Sequence, residues 1–102
     1  MNVALGTENC SDVINQIVEV CSSYSEVQEI ILYGSRAKGT ALERSDIDVA
    51  IVGNHIDIEE LRDQVDSIDT LLKIDLVDIK NSKNELLKNE VNKYGIILYR
   101  KI

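Results

Sequence analysis

Apolar residues recur at helical spacing between Ser11 and Tyr24. Val13, Ile14, Ile17, Val18, Cys21 and Tyr24 fall on one side, with Asp12, Asn15, Gln16 and Glu19 on the other. The pattern predicts an amphipathic first helix. Two short apolar runs follow, "QEIILYG" closed by Gly34 and "SDIDVAIVG" closed by Gly53, and both read as buried strands. Asp57 is placed to cap a helix with Glu60 at its third position, after which Leu61, Val65, Ile68 and Leu72 repeat at steps of four, three and four. "LKIDLVDIK" returns to strand character. Ser82 and Glu85 form a second capping box, opening a helix through Leu86, Leu87, Val91 and Tyr94 that Gly95 ends, and "GIILYR" supplies a last strand.

These elements give an α/β fold class: a single mixed β-sheet with helices packed on it. No linker, repeat or low-complexity tract interrupts residues 1–102, which are expected to form one domain. The segment 34–45 is too short for a full crossover. A single helical turn from Ser35 to Lys38, stopped by Gly39, uses part of it, so the first two strands should run antiparallel. The next connection holds a whole helix, and a right-handed crossover should set the third strand parallel to the second. That topology gathers Gly34, Ser35, Asp46, Asp48 and Asp75 at one edge of the sheet.

Composition narrows the possible functions. With no Phe or Trp, Ile, Val and Leu must build the interior. A formal charge of −7 argues against general binding of nucleic acid through its phosphates. The charge is polarised: residues 1–70 carry 4 basic and 14 acidic groups, whereas residues 71–102 carry 7 basic and 4 acidic groups, a contrast that a partner could read. Cys10 and Cys21 would sit about three turns apart on one helix and cannot bridge, so free buried thiols are expected. Without a signal peptide, a long apolar run or a lipidation motif, the expected compartment is the cytoplasm, with no membrane association.

The chemistry concentrates in "LYGSRAKGTALERSDIDVAIVG". Side chains alternate along a strand, so Asp46 and Asp48 share a face, with Cα atoms roughly 6 to 7 Å apart. Like charges this close resist ionisation unless a cation lies between them. Oxygen donors with no nearby His or Cys favour Mg²⁺ or Mn²⁺ over zinc. Gly34 lacks a Cβ, so a phosphate can approach its backbone, and Ser35 offers a hydroxyl and an amide where the chain turns into a helix. Arg36 and Lys38 add positive charge. One half suits metal and the other suits phosphate, the division of labour that phosphoryl or nucleotidyl transfer requires.

Plainer readings apply to several of these residues. Ser-Asp is a common solvated strand start after a turn, Ser35 could serve as an N-cap, and Arg36 and Lys38 could be solvated charges. Asp78 competes with Asp75 for the role of third carboxylate, since the two point to opposite faces of one strand. His55 reads as a structural turn residue. The four tyrosines read as core or rim.

The spacing Gly34-Ser35, ten residues, Asp46-Ile47-Asp48 resembles the motif of the DNA polymerase β superfamily, specifically its minimal nucleotidyltransferase group. Gly39 and Ser45 fit the usual form of that motif, and Asp75 in "KIDLVDI" falls at the family's third carboxylate. The likeness in element order spans nearly the whole chain. It implies a polymerase β-like nucleotidyltransferase fold and a metal-dependent transfer of a nucleoside monophosphate. Asp46, Asp48 and Asp75 would hold metal, with Asp75 also orienting or deprotonating the acceptor. Gly34 and Ser35 would hold the β,γ-phosphates of ATP, with Arg36 beside them.

Members of this group are frequently antitoxins paired with an all-helical HEPN ribonuclease toxin. The implied reaction is transfer of AMP from ATP to a tyrosine hydroxyl of that toxin, within a hetero-oligomer, the partner supplying the surface that this short chain lacks. The alternative is a non-catalytic antitoxin that neutralises by complex formation alone. Transfer to an antibiotic or an RNA end fits less well, because additional helical or basic surface is not found here.

Overall fold

A computed structural model describes residues 10–102. The helix α1 runs Cys10–Ser22 and turns Val13, Ile17 and Cys21 inward at steps of four, as its apolar stripe requires. The strand β1 (Val27–Tyr33) leads through a single turn, α2 (Ser35–Lys38), to β2 (Ile47–Gly53). Next come α3 (Ile58–Asp66), β3 (Ile74–Asp78), a 3-10 turn at Ile79–Asn81, α4 (Glu85–Tyr94) and β4 (Ile96–Arg100). Among the described residues no helix is long and apolar enough to cross a membrane.

The strands form one mixed sheet in the order β3-β2-β1-β4. As the chain lengths between them require, β1 pairs antiparallel with β2 and β2 pairs parallel with β3. β4 returns to the far side of β1, antiparallel to it, with a register shift between Ile30 and Ile31. α1 and α3 cover one face, where Ile17, Ile30, Ile47 and Ile51 are fully buried. Each such side chain contributes about 1.5–3 kcal/mol of apolar transfer, so aliphatic packing without Phe or Trp suffices for this layer. α4 and the 3-10 turn cover the other face, around Tyr33, Ala50, Ile79 and Val91.

Three details differ from the sequence reading. α3 stops at Asp66 instead of continuing to Leu72, because Ser67 turns its hydroxyl back to the Gln64 carbonyl (2.6 Å) and Thr70 Oγ1 accepts from the Leu72 amide (3.0 Å). Such side chains offer the backbone an alternative to the helical ladder. Ile68 and Leu72 still pack on the core from the turn that follows, which is why their spacing resembled more helix.

The cap of α4 is Asn84, not Ser82. Asn84 Oδ1 accepts from the Leu87 amide at 3.1 Å, while Ser82 Oγ accepts from the Asn84 amide at 3.1 Å and so orders the approach. Gly95 does end α4, but with extended backbone (φ −62°, ψ 140°) instead of a left-handed cap. Its lack of a side chain matters for space: a Cβ there would lie 2.6 Å from Ile31 Cγ2. The Asp57 cap of α3 forms as read, accepting from the Glu60 amide at 3.1 Å. Both cysteines are free, with Cys21 buried and Cys10 half-buried.

Candidate active site

The antiparallel turn from β1 into β2 sets Tyr33 opposite Asp48, and the parallel register sets Asp48 opposite Asp75. Asp46 lies one residue before β2, at the point where the Ile47 amide opens the pairing by donating to the Lys73 carbonyl at 2.9 Å. Asp46 is exposed, whereas Asp48 and Asp75 are half-buried. Burial pushes the Asp48 carboxyl above its ordinary range, and the charges of Asp75, Asp46 and Glu90 push it further, with Lys73 opposing. The Tyr33 hydroxyl is raised to about 12, first by burial and then by Asp48, Asp75 and Glu90.

Gly34 has a backbone that L side chains rarely adopt, φ 75° and ψ −157°. A Cβ there would overlap Asp48 Oδ2. The glycine therefore does two things: it lets the chain leave β1 into α2, and it lets the turn lie directly against the carboxylate. Gly34 is itself the N-cap of α2, so Ser35 is the first helical residue and not its cap. The Ala37 and Lys38 amides donate to the Gly34 carbonyl, both at 3.1 Å. Gly39 closes the turn at φ 78°.

Arg36 is turned toward the connection into β2. Its Nε and Nη2 donate to the Ser45 carbonyl (3.2 and 2.7 Å), and Nη2 also donates to the Glu43 carbonyl (3.1 Å). Ser45, the residue before Asp46, also accepts from the Leu42 amide through its hydroxyl at 2.8 Å. These bonds fix the loop that delivers Asp46. Asp78 is held apart from this group: it pairs in register with Ile51, and its Oδ2 accepts from Asn81 Nδ2 at 2.7 Å.

The donor set is all carboxylate, as Mg²⁺ or Mn²⁺ prefers. Among the described residues, however, no three His, Cys, Asp or Glu side chains are already gathered closely enough to hold a metal ion. Lys73 Nζ lies 3.8 Å from Asp75 Oδ1 and partly offsets the repulsion. The convergence of carboxylates expected from sequence is thus present as register and mutual repulsion, not as a closed ligand shell. The residues fit a hard divalent cation by type and sheet position, and side-chain rotation would have to complete the shell.

Three residues near the site carried no sequence signal. The sequence pattern marks Tyr33 only as core or rim and gives no role to Lys73 or Glu90. Glu90 comes into range because α4 packs on the same sheet face as Asp48, a placement that helical periodicity alone does not give.

A four-stranded mixed sheet with a glycine-serine turn pressed against strand-borne carboxylates defines a polymerase β-like nucleotidyltransferase fold. The family profile described as Polymerase beta, Nucleotidyltransferase matches residues 15–101, and the chain belongs to that family. No curated protein matches the chain at a significant level. Among solved structures, it is similar to a mutant MntA toxin-antitoxin complex (26% identity, TM-score 0.68, 85% of this chain and 73% of the other). It is similar also to a toxin-antitoxin structure with AMP-PNP (26% identity, TM-score 0.65, 88% and 73%). A tri-AMPylated Shewanella oneidensis HEPN toxin in complex with its MNT antitoxin shares the fold at 24% identity (TM-score 0.64, 89% and 72%).

Proposed function

We propose that this chain is an antitoxin that transfers AMP from ATP to a tyrosine hydroxyl of a HEPN-type ribonuclease partner and thereby neutralises it. The observation that carries this reading is the register of Asp48 with Asp75 beside a Gly34 whose missing Cβ leaves room for Asp48 Oδ2. Similarity to toxin-antitoxin structures, one of them holding an ATP analogue, supports the partner and the nucleotide.

In the proposed reaction the tyrosine oxygen bonds to the α-phosphorus, the bond from that phosphorus to the bridging oxygen breaks, and pyrophosphate leaves. The hydroxyl proton passes to the Asp75 carboxylate or to solvent. Gly34 and Ser35 receive the β,γ-phosphates, and Arg36 keeps the loop before Asp46 in place while its positive charge stands beside them. Asp46, Asp48 and Asp75 would hold Mg²⁺ or Mn²⁺, which when bound lowers the acceptor's pKa and neutralises the triphosphate. The proposed unit is residues 1–102 as one domain, acting in the cytoplasm in a hetero-oligomer with the toxin.

The test is incubation of the chain with its partner, Mg²⁺ and ATP labelled at either the α- or the γ-phosphorus. Label should reach the partner from the α-position only, and Asp48→Asn should abolish it. The second reading is neutralisation by complex formation alone, with the nucleotide site unused. That reading requires Asp48→Asn to protect against the toxin as well as wild type does.

A further inference from the structure

The Lys38 side chain, on the last residue of α2, is held from α4 by two groups one helical turn apart. Glu90 Oε1 lies 3.5 Å from Lys38 Nζ, and the Tyr94 ring centroid lies 5.0 Å from the same nitrogen. Positions i and i+4 share a helix face, so α4 presents the carboxylate and the ring together. The Lys38 and Glu90 side chains are each only about a third exposed (35% and 33%). Through its amide, Lys38 is bonded to the Gly34 carbonyl at 3.1 Å. The side chain that α4 grips therefore belongs to the same single turn as the glycine that lies against Asp48.

We infer that Glu90 and Tyr94 are positioning residues for the phosphate turn: by holding Lys38, α4 fixes the orientation of α2 and so the placement of Gly34 and Ser35 against Asp48. A one-turn helix cannot hold its own orientation, because four residues close too few hydrogen bonds to offset the cost of ordering them. Arg36 anchors α2 to the loop on one side. Lys38 anchors it to α4 on the other.

An isolated exposed ion pair contributes little. Here the pair is reinforced by the ring, and the proposal rests on the nucleotide reading above for what α2 is held in place to do.

Glu90→Gln separates the two accounts by sign. If Glu90 is a bystander, removing a negative charge beside a triphosphate strengthens nucleotide binding. If it positions α2, the same change weakens binding of AMP-PNP with Mg²⁺, measured by calorimetry, by about two- to fivefold. Lys38→Met should weaken binding too, and adding Glu90→Gln to it should cause no further loss, whereas Lys38→Arg, which keeps both contacts, should stay close to wild type. Hydrogen exchange of the peptide 34–42 in the nucleotide-free protein gives an independent readout: Glu90→Gln should speed it while the unfolding midpoint holds. Tighter binding, unchanged exchange, or independent effects of the two substitutions would overturn the inference. If the wild-type protein binds no nucleotide, the proposed function fails, and the exchange experiment still decides whether α4 holds α2.

Discussion

Asp48 Oδ2 occupies the space that a Cβ on Gly34 would need, so the turn after β1 and the carboxylate of β2 are fitted to each other. Gly34→Ala must therefore displace the carboxylate and also force an alanine into φ 75°. A loss of about 1–3 kcal/mol in denaturant unfolding is expected, together with loss of nucleotide transfer. An alanine variant with unchanged stability would show that the turn relaxes away from Asp48.

Neutralising a carboxylate in this group should separate stability from activity. Asp75→Asn removes a charge that opposes ionisation of Asp48, so stability should hold or rise. Transfer should fall by about 10²–10³-fold, the usual loss when one electrostatic group of a transfer site is removed. Asp78→Asn serves as the comparison, because its carboxylate is turned to Asn81 and should leave transfer intact.

Arg36 donates three hydrogen bonds to the carbonyls of Glu43 and Ser45. Arg36→Lys keeps the charge but loses the fork, so it should behave like Arg36→Met. Each should cost about 1–2 kcal/mol in unfolding experiments. If lysine restored activity fully, charge and not loop geometry would be what Arg36 supplies.

The Cys21 thiol is fully buried and is raised from 9.0 to about 11 by that burial. The folded state keeps this proton to higher pH than the unfolded chain does. Its contribution to stability is therefore complete below pH about 9 and is lost as pH rises toward about 11, by at most about 3 kcal/mol. In Cys21→Ala this part of the alkaline slope in unfolding free energy should disappear. Cys10, which is half-buried, should react with a thiol reagent in the native protein well before Cys21 does.

Much of this geometry could be read in the sequence because short connections leave few choices. The brief link between Tyr33 and Asp46 forced an antiparallel pair, and the α3 crossover forced a parallel one, which together brought Asp75 to Asp48. What escaped depended on contacts distant in sequence. Leu72 resembled helix because it packs like helix, and only the hydroxyls of Ser67 and Thr70 decide otherwise. Ser82 and Asn84 are both good caps, and the 3-10 turn before them selects the second. Glu90 and Tyr94 acquired a role only once α4 was placed over the face that carries Asp48. A stability comparison checks the cap: Asn84→Ala should cost about 1 kcal/mol, and Ser82→Ala clearly less.

The most direct test of the central claim is the intact mass of the partner toxin after incubation with this chain, ATP and Mg²⁺, measured alongside its ribonuclease activity. The account expects mass gains in whole multiples of AMP, loss of ribonuclease activity in step with them, and neither change with Asp48→Asn. A partner that is silenced equally by wild type and Asp48→Asn, with no change in mass, would contradict it.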